Sequence, residues 1–197
     1  METTLTNPVA SRKFISDGVL GMIFLLTTEA MLFAGFISAY IVNHAGATMW
    51  PPADQPRLPI GITAINTIIL LASGFLLFFF SKNFKSNQAN GKNGLGILML
   101  SMLLGLTFVS IQGIEWVRLI GYGLTTSSSL YASFFYLIIG FHGFHVLVGL
   151  AILAYLFNKV KNSKSTEDAK NTINACKLYW YFVVGIWPLL YYLVYLS

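Results

Sequence analysis

The sequence predicts an all-α fold, a polytopic membrane helical bundle of five transmembrane helices with a cytoplasmic N-terminus and a periplasmic C-terminus. Three observations predict it. Of the 197 residues, 56% are hydrophobic and only 10% are charged, whereas a soluble domain carries about 25% charged residues. Five apolar runs are each long enough to cross a hydrocarbon core about 30 Å thick, which takes roughly 20 helical residues. Finally, ten of the twelve Lys and Arg residues fall on one side of the alternation those runs impose.

The runs are residues 19–42, 60–80, 95–117, 130–157 and 178–196. They lack the alternating polarity of barrel strands, and a helix satisfies its own backbone groups in hydrocarbon. The connections are short and polar: 43–59 with four prolines, 81–94, 118–129 and 158–177. None is large enough for a catalytic domain, so residues 1–197 read as a single membrane domain. Residues 1–17 are polar and mixed in charge, without a secretory signal pattern, so insertion is expected to use the first span.

Orientation follows from charge. Arg12, Lys13, Lys82, Lys85, Lys92, Lys159, Lys161, Lys164, Lys170 and Lys177 lie on one side, with only Arg57 and Arg118 on the other. Short loops rich in Lys and Arg stay in the cytoplasm. The formal charge of +5 is explained by this topology and by anionic lipid headgroups, and gives no reason to expect nucleic acid. A single cysteine, Cys176, excludes an internal disulfide framework and paired-cysteine zinc patterns. No pair of related halves with matching Gly/Pro-broken helices supports a transporter of inverted repeats.

Polar residues inside the spans are the candidate functional groups. Glu29 lies roughly 16 Å into the first helix at about 1.5 Å per residue, near the midplane. A charge there is costly, so Glu29 is expected to be protonated or to face a partner inside the bundle, as a functional group or a packing acid. His142 and His145 are three apart in helix 4 and so share one side of it. With Gln112 and Glu29 they are expected to form a buried polar seam through side-chain and backbone hydrogen bonds. A metal or haem site is not expected, because further acid or sulfur ligands are missing and axial histidines come from facing helices. Glu115 and Arg118, again three apart, are expected to pair at the interface. Ala30, Ala34 and Ser38 in helix 1, and Ser101 and Gly105 in helix 3, are small residues at four-residue spacing whose faces should meet other helices. Trp50, Trp116 and Trp180 read as interfacial belt residues, and Pro188 as a tolerable kink.

Several strings are more particular. Thr28-Glu29-Ala30-Met31-Leu32-Phe33-Ala34-Gly35, then Ala39-Tyr40, resembles the acid-containing helix of subunit III of the haem-copper respiratory oxidases, with its "SE-x-M-x-F" core. Trp50-Pro51-Pro52, Asn66-Thr67 and Leu70-Leu71-Ala72-Ser73-Gly74 follow in that family's order, as do Leu104-Gly105, Phe108, Gln112 and Glu115. The most specific string is Phe134-Phe135, then Gly140-Phe141-His142-Gly143-Phe144-His145-Val146 and Gly149, like the family's "F-F-x-x-T-G-x-H-G-x-H-V-x-x-G". Where many members read "Y-W-H-F-V-D-x-x-W", Tyr181 stands for the His and Val184 for the Asp. That departure takes from the last helix the proton-collecting or polar-pairing role that this His and Asp have in other members, and keeps its packing role.

The resemblance implies a non-catalytic subunit of a bacterial cytochrome c oxidase in the inner membrane. It implies no catalytic, cofactor-binding or metal-binding residue in this chain, haem and copper residing in subunits I and II, and bound phospholipid. Glu29 matches the family's buried, carbodiimide-reactive glutamate. Expected partners are subunits I and II, subunit IV, membrane lipids and a larger respiratory supercomplex, with docking on subunit I that sustains proton uptake and complex stability. The chain starts at what is the third helix of seven-helix members, so their V-shaped lipid cleft is not expected to be complete here. Rival expectations are a related accessory protein of nitric oxide reductase and an independent proton or metal channel centred on Glu29, His142 and His145.

Overall fold

The computed structural model describes residues 16–53, 55–85, 92–162 and 166–196. Arg12, Lys13 and Lys164, three of the charges that set the expected orientation, lie outside the described residues. Five membrane-length helices are present among them: α1 (Asp17–Gly46), α2 (Ile60–Lys85), α3 (Lys92–Gly121), α4 (Leu130–Asn162) and α5 (Thr166–Tyr191), the last running into a π-helical turn, Tyr192–Leu196. The helices extend past the apolar runs. Helical hydrogen bonding continues into the polar interface, and α5 starts twelve residues before its run because 166–177 is polar yet helix-competent.

Helices α2, α3, α4 and α5 close a four-membered ring in which each touches two neighbours, and α1 lies outside it against α5 and α4. Only Phe33 and Tyr40 of α1 are buried. In the ring, Leu70, Leu77, Leu98, Phe108, Phe135, Ile138, Leu153, Trp180, Val183 and Trp187 fill the centre. Bundles in lipid are held by close packing and hydrogen bonds rather than by water exclusion, and both are visible. Ser101 Oγ donates to the Ser73 carbonyl (2.8 Å) and Asn66 Nδ2 to the Phe108 carbonyl (3.0 Å), tying α2 to α3.

Trp180 corrects the expectation of an interfacial belt residue. It is fully buried, and its indole donates to Ser73 Oγ at 3.2 Å. Its ring wedges between α3 and α4, where a Cβ on Gly105 or on Gly149 would lie 2.8 Å from ring carbons. The small residues of α3 therefore receive a side chain. Ala30, Ala34 and Ser38 are exposed on this chain, because Phe33 and Tyr40 set the rotation of α1 and turn the small-residue side away from the ring.

The turn from α3 to α4 is built locally. Gly123 takes φ +91°, a left-handed value that suits glycine, while the Leu124 amide donates back to the Leu119 carbonyl. Ser129 Oγ then accepts from the Ala132 amide and caps α4. At the same end the 47–59 loop folds back: Trp50 donates to the Tyr40 hydroxyl (3.1 Å), stacks on His44 and meets Tyr131 edge-on.

Candidate functional site: two polar clusters on helix α4

His145 turns toward α1. Its Nδ1 lies 2.8 Å from the carbonyl of Phe141, one turn back in α4, and its Nε2 lies 3.1 Å from Glu29 Oε2. A carbonyl can only accept, so Nδ1 carries a hydrogen. One proton then remains for the Nε2–Oε2 contact: either Glu29 is a neutral acid donating to a neutral imidazole, or a carboxylate meets an imidazolium. Both forms carry zero net charge, which meets the demand a mid-membrane acid makes of its surroundings.

The pair sits in an aromatic cage. Phe33, Phe141 and Phe144 approach the His145 ring with centroids 5.3, 4.7 and 6.0 Å away. Tyr179 donates to the His145 carbonyl at 3.3 Å, which brings α5 to the same point. The His145 side chain is 6% exposed and that of Glu29 is 24% exposed. Glu29 thus reaches the seam from its rim.

His142 belongs elsewhere. Three helical residues turn through about 300°, so its side chain is offset by about 60° from that of His145. It stacks on Trp187 (4.8 Å, 28°) and meets Phe108 edge-on at 6.1 Å, between α3 and α5. Trp187 donates to Thr67 Oγ1 at 2.8 Å. Neither nitrogen of His142 has a hydrogen-bond partner among the described residues. Gln112 donates to the Tyr195 hydroxyl at 2.9 Å, linking α3 to the terminal π-helical turn. The single seam expected from Glu29, His145, His142 and Gln112 is therefore divided: Glu29 with His145, Gln112 with Tyr195, and His142 within an aromatic stack.

Arg118 donates to Glu115 Oε1 at 2.7 Å, with Glu115 8% and Arg118 56% exposed. The acid is buried at the end of α3 while the guanidinium reaches outward. Where the family resemblance expects an acid, Val184 packs against Gly74, its Cγ1 3.1 Å from where a glycine Cβ would stand. Tyr181 carries a buried hydroxyl with no partner among the described residues. Tyr179, Trp187, Thr67 and Tyr195, which hold the histidines and Gln112 in place, were not foreseen as site residues, because hydroxyl and indole side chains are common along membrane spans. Among the described residues no group of three His, Cys, Asp or Glu side chains is placed to hold a metal ion.

Comparison with known proteins gives these clusters their context. The cytochrome c oxidase subunit III family matches residues 3–197. Cytochrome c oxidase subunit 3 of a Synechocystis species is 33% identical over 180 residues, covering 90% of this chain and 75% of the relative. A probable cytochrome c oxidase subunit 3 of Mycobacterium leprae is 32% identical, covering 98% of this chain and 94% of the relative. The subunit from Loxodonta africana is also 32% identical, over 89% of this chain and 67% of its own length. The spans make this a multi-pass membrane protein, consistent with a respiratory subunit III of a bacterial inner membrane. The chain belongs to the cytochrome c oxidase subunit III family, as a five-helix subunit of a respiratory oxidase complex.

Proposed function

We propose that this chain docks on subunit I of its oxidase, beside subunits II and IV, and sustains proton uptake and complex stability without carrying protons itself. Its N-terminus is cytoplasmic and its C-terminus periplasmic, supported by the ten-to-two distribution of Lys and Arg. Phospholipid covers the apolar flanks.

The observation that carries the structural reading is the geometry of His145. A proton wire needs an onward acceptor able to release what it receives. The imidazole is closed on one side by the Phe141 carbonyl and on the other by Glu29. Together with the Tyr179 hydroxyl on the His145 carbonyl, the pair fastens α1 and α5 to α4. Hydrogen bonds between membrane helices are worth about 0.6–1.7 kcal/mol each, enough to fix the rotation of a helix that buries little else.

Affinity purification of a tagged chain in mild detergent tests the docking. Co-purification of subunits I and II with a-type haem absorption is expected. A nitric oxide reductase partner, or a colourless chain without partners, would overturn it.

A further inference from the structure

Glu29 has two carboxyl oxygens, and the contact with His145 uses one of them. Oε2 lies 3.1 Å from His145 Nε2, whereas Oε1 has no hydrogen-bond partner among the described residues and is not enclosed, the side chain being 24% exposed. The proton count that governs the His145 contact also fixes what Oε1 does. In the neutral form Oε2 carries the hydrogen and Oε1 is the carbonyl oxygen; in the charged form Oε1 is half of a carboxylate. It accepts a hydrogen bond in both forms and donates in neither.

Depth and surroundings narrow what meets it. Glu29 stands ten residues from one end of its apolar run and thirteen from the other, about 15 and 20 Å along the helix. An acceptor left bare in hydrocarbon is costly, and at that depth phospholipid presents only alkyl chain, without N–H or O–H. A neighbouring helix does carry donors there. The flanks suit one: Leu25 and Leu32 lie four before and three after Glu29 on the same side of α1, and Phe144 of α4 stands edge-on to His145. They are 45%, 39% and 59% exposed. Phe33 and Phe141 close the His145 ring on the inner side, and α1 buries only Phe33 and Tyr40 of its thirty residues within this chain.

We propose that the outer α1–α4 face around Glu29 receives a transmembrane helix of a neighbouring oxidase subunit, which donates a hydrogen bond from a hydroxyl, amide, indole or imidazole side chain to Oε1. This presupposes the docking proposed above, and adds where it occurs and which group fixes it. Leu25, Leu32 and Phe144 supply the packing surface. The single polar contact sets the height and rotation of the incoming helix.

The test uses the intact oxidase complex, with the photo-crosslinker p-benzoylphenylalanine placed at Leu32, at Phe144 or, as a control, at Phe75, an exposed residue of α2. Mass spectrometry should find one helix of another subunit joined to residues 32 and 144 and not to residue 75, with a donor side chain in the captured segment. Two positions keep the test open if one variant fails to assemble. Replacing that donor by an apolar residue of similar size should lower retention of this chain, read as chain per haem after a detergent wash, about threefold or more. The same replacement in a Glu29→Leu complex should lower retention no further. A captured segment without a donor, capture of only phospholipid or a second copy of this chain, or a donor effect undiminished in the Glu29→Leu complex would overturn the proposal. Crosslinks to another subunit from Phe75 alone would also overturn it while leaving docking itself standing. A chain that does not co-purify with haem would overturn both.

Discussion

Glu29 and His145 are joined across helices α1 and α4 by one proton, with Nε2 3.1 Å from Oε2 and the second imidazole nitrogen held by the Phe141 carbonyl. The pair is neutral in either form, and it fastens the one helix that stands outside the ring.

Packing around Trp180 gives a sharp prediction. Gly149→Ala places a Cβ 2.8 Å from the indole ring and 3.3 Å from Tyr179, both in a filled interior. The variant should lose about 1–3 kcal/mol of stability, as overpacked cores do, read as earlier thermal dissociation of the chain from the complex. Gly35→Ala, with nothing within 4 Å of the added carbon, should leave that temperature unchanged.

The Trp187–Thr67 hydrogen bond joins α5 to α2 at 2.8 Å. Trp187→Phe and Thr67→Val should each cost about 0.6–1.7 kcal/mol. The double variant should cost clearly less than both together, because the two singles remove the same bond. Additive losses in a double-mutant cycle would show that the bond contributes nothing.

Val184 stands where the family resemblance leads one to expect an acid. It is 6% exposed and packed on Gly74. Val184→Asp should therefore destabilise the bundle by about 3 kcal/mol, the order of burying an acid at mid-membrane. Subunit content per haem in purified complex checks this. An undiminished content would mean that α2 and α5 part enough to hydrate the new carboxyl.

Orientation is open to chemical labelling. In a Cys176→Ala background, Thr126→Cys should react with an impermeant thiol reagent from the periplasmic side, and Asn162→Cys only after the cytoplasmic face is exposed. The reverse pattern would invert the topology.

The five spans were legible because hydrocarbon imposes a minimum apolar length, which composition reveals directly. Helix ends were less so: α5 begins at Thr166, well before its apolar run, since helix propensity continues where hydropathy stops. Glu29 and a histidine on α4 were recognisable as mid-membrane groups by counting residues. Which histidine meets Glu29 depends on the rotation of α4 and the order of its neighbours, and neither is written in spacing. The same ignorance of rotation placed a core residue, Trp180, at the membrane border.

Proton ejection per electron, measured in vesicles of oxidase carrying Glu29→Gln and normalised to assembled haem, tests the central claim most directly. The account predicts an unchanged ratio in complexes that retain the chain, together with weaker retention of the chain. Normal assembly with lost proton pumping would contradict it and make Glu29 a proton carrier.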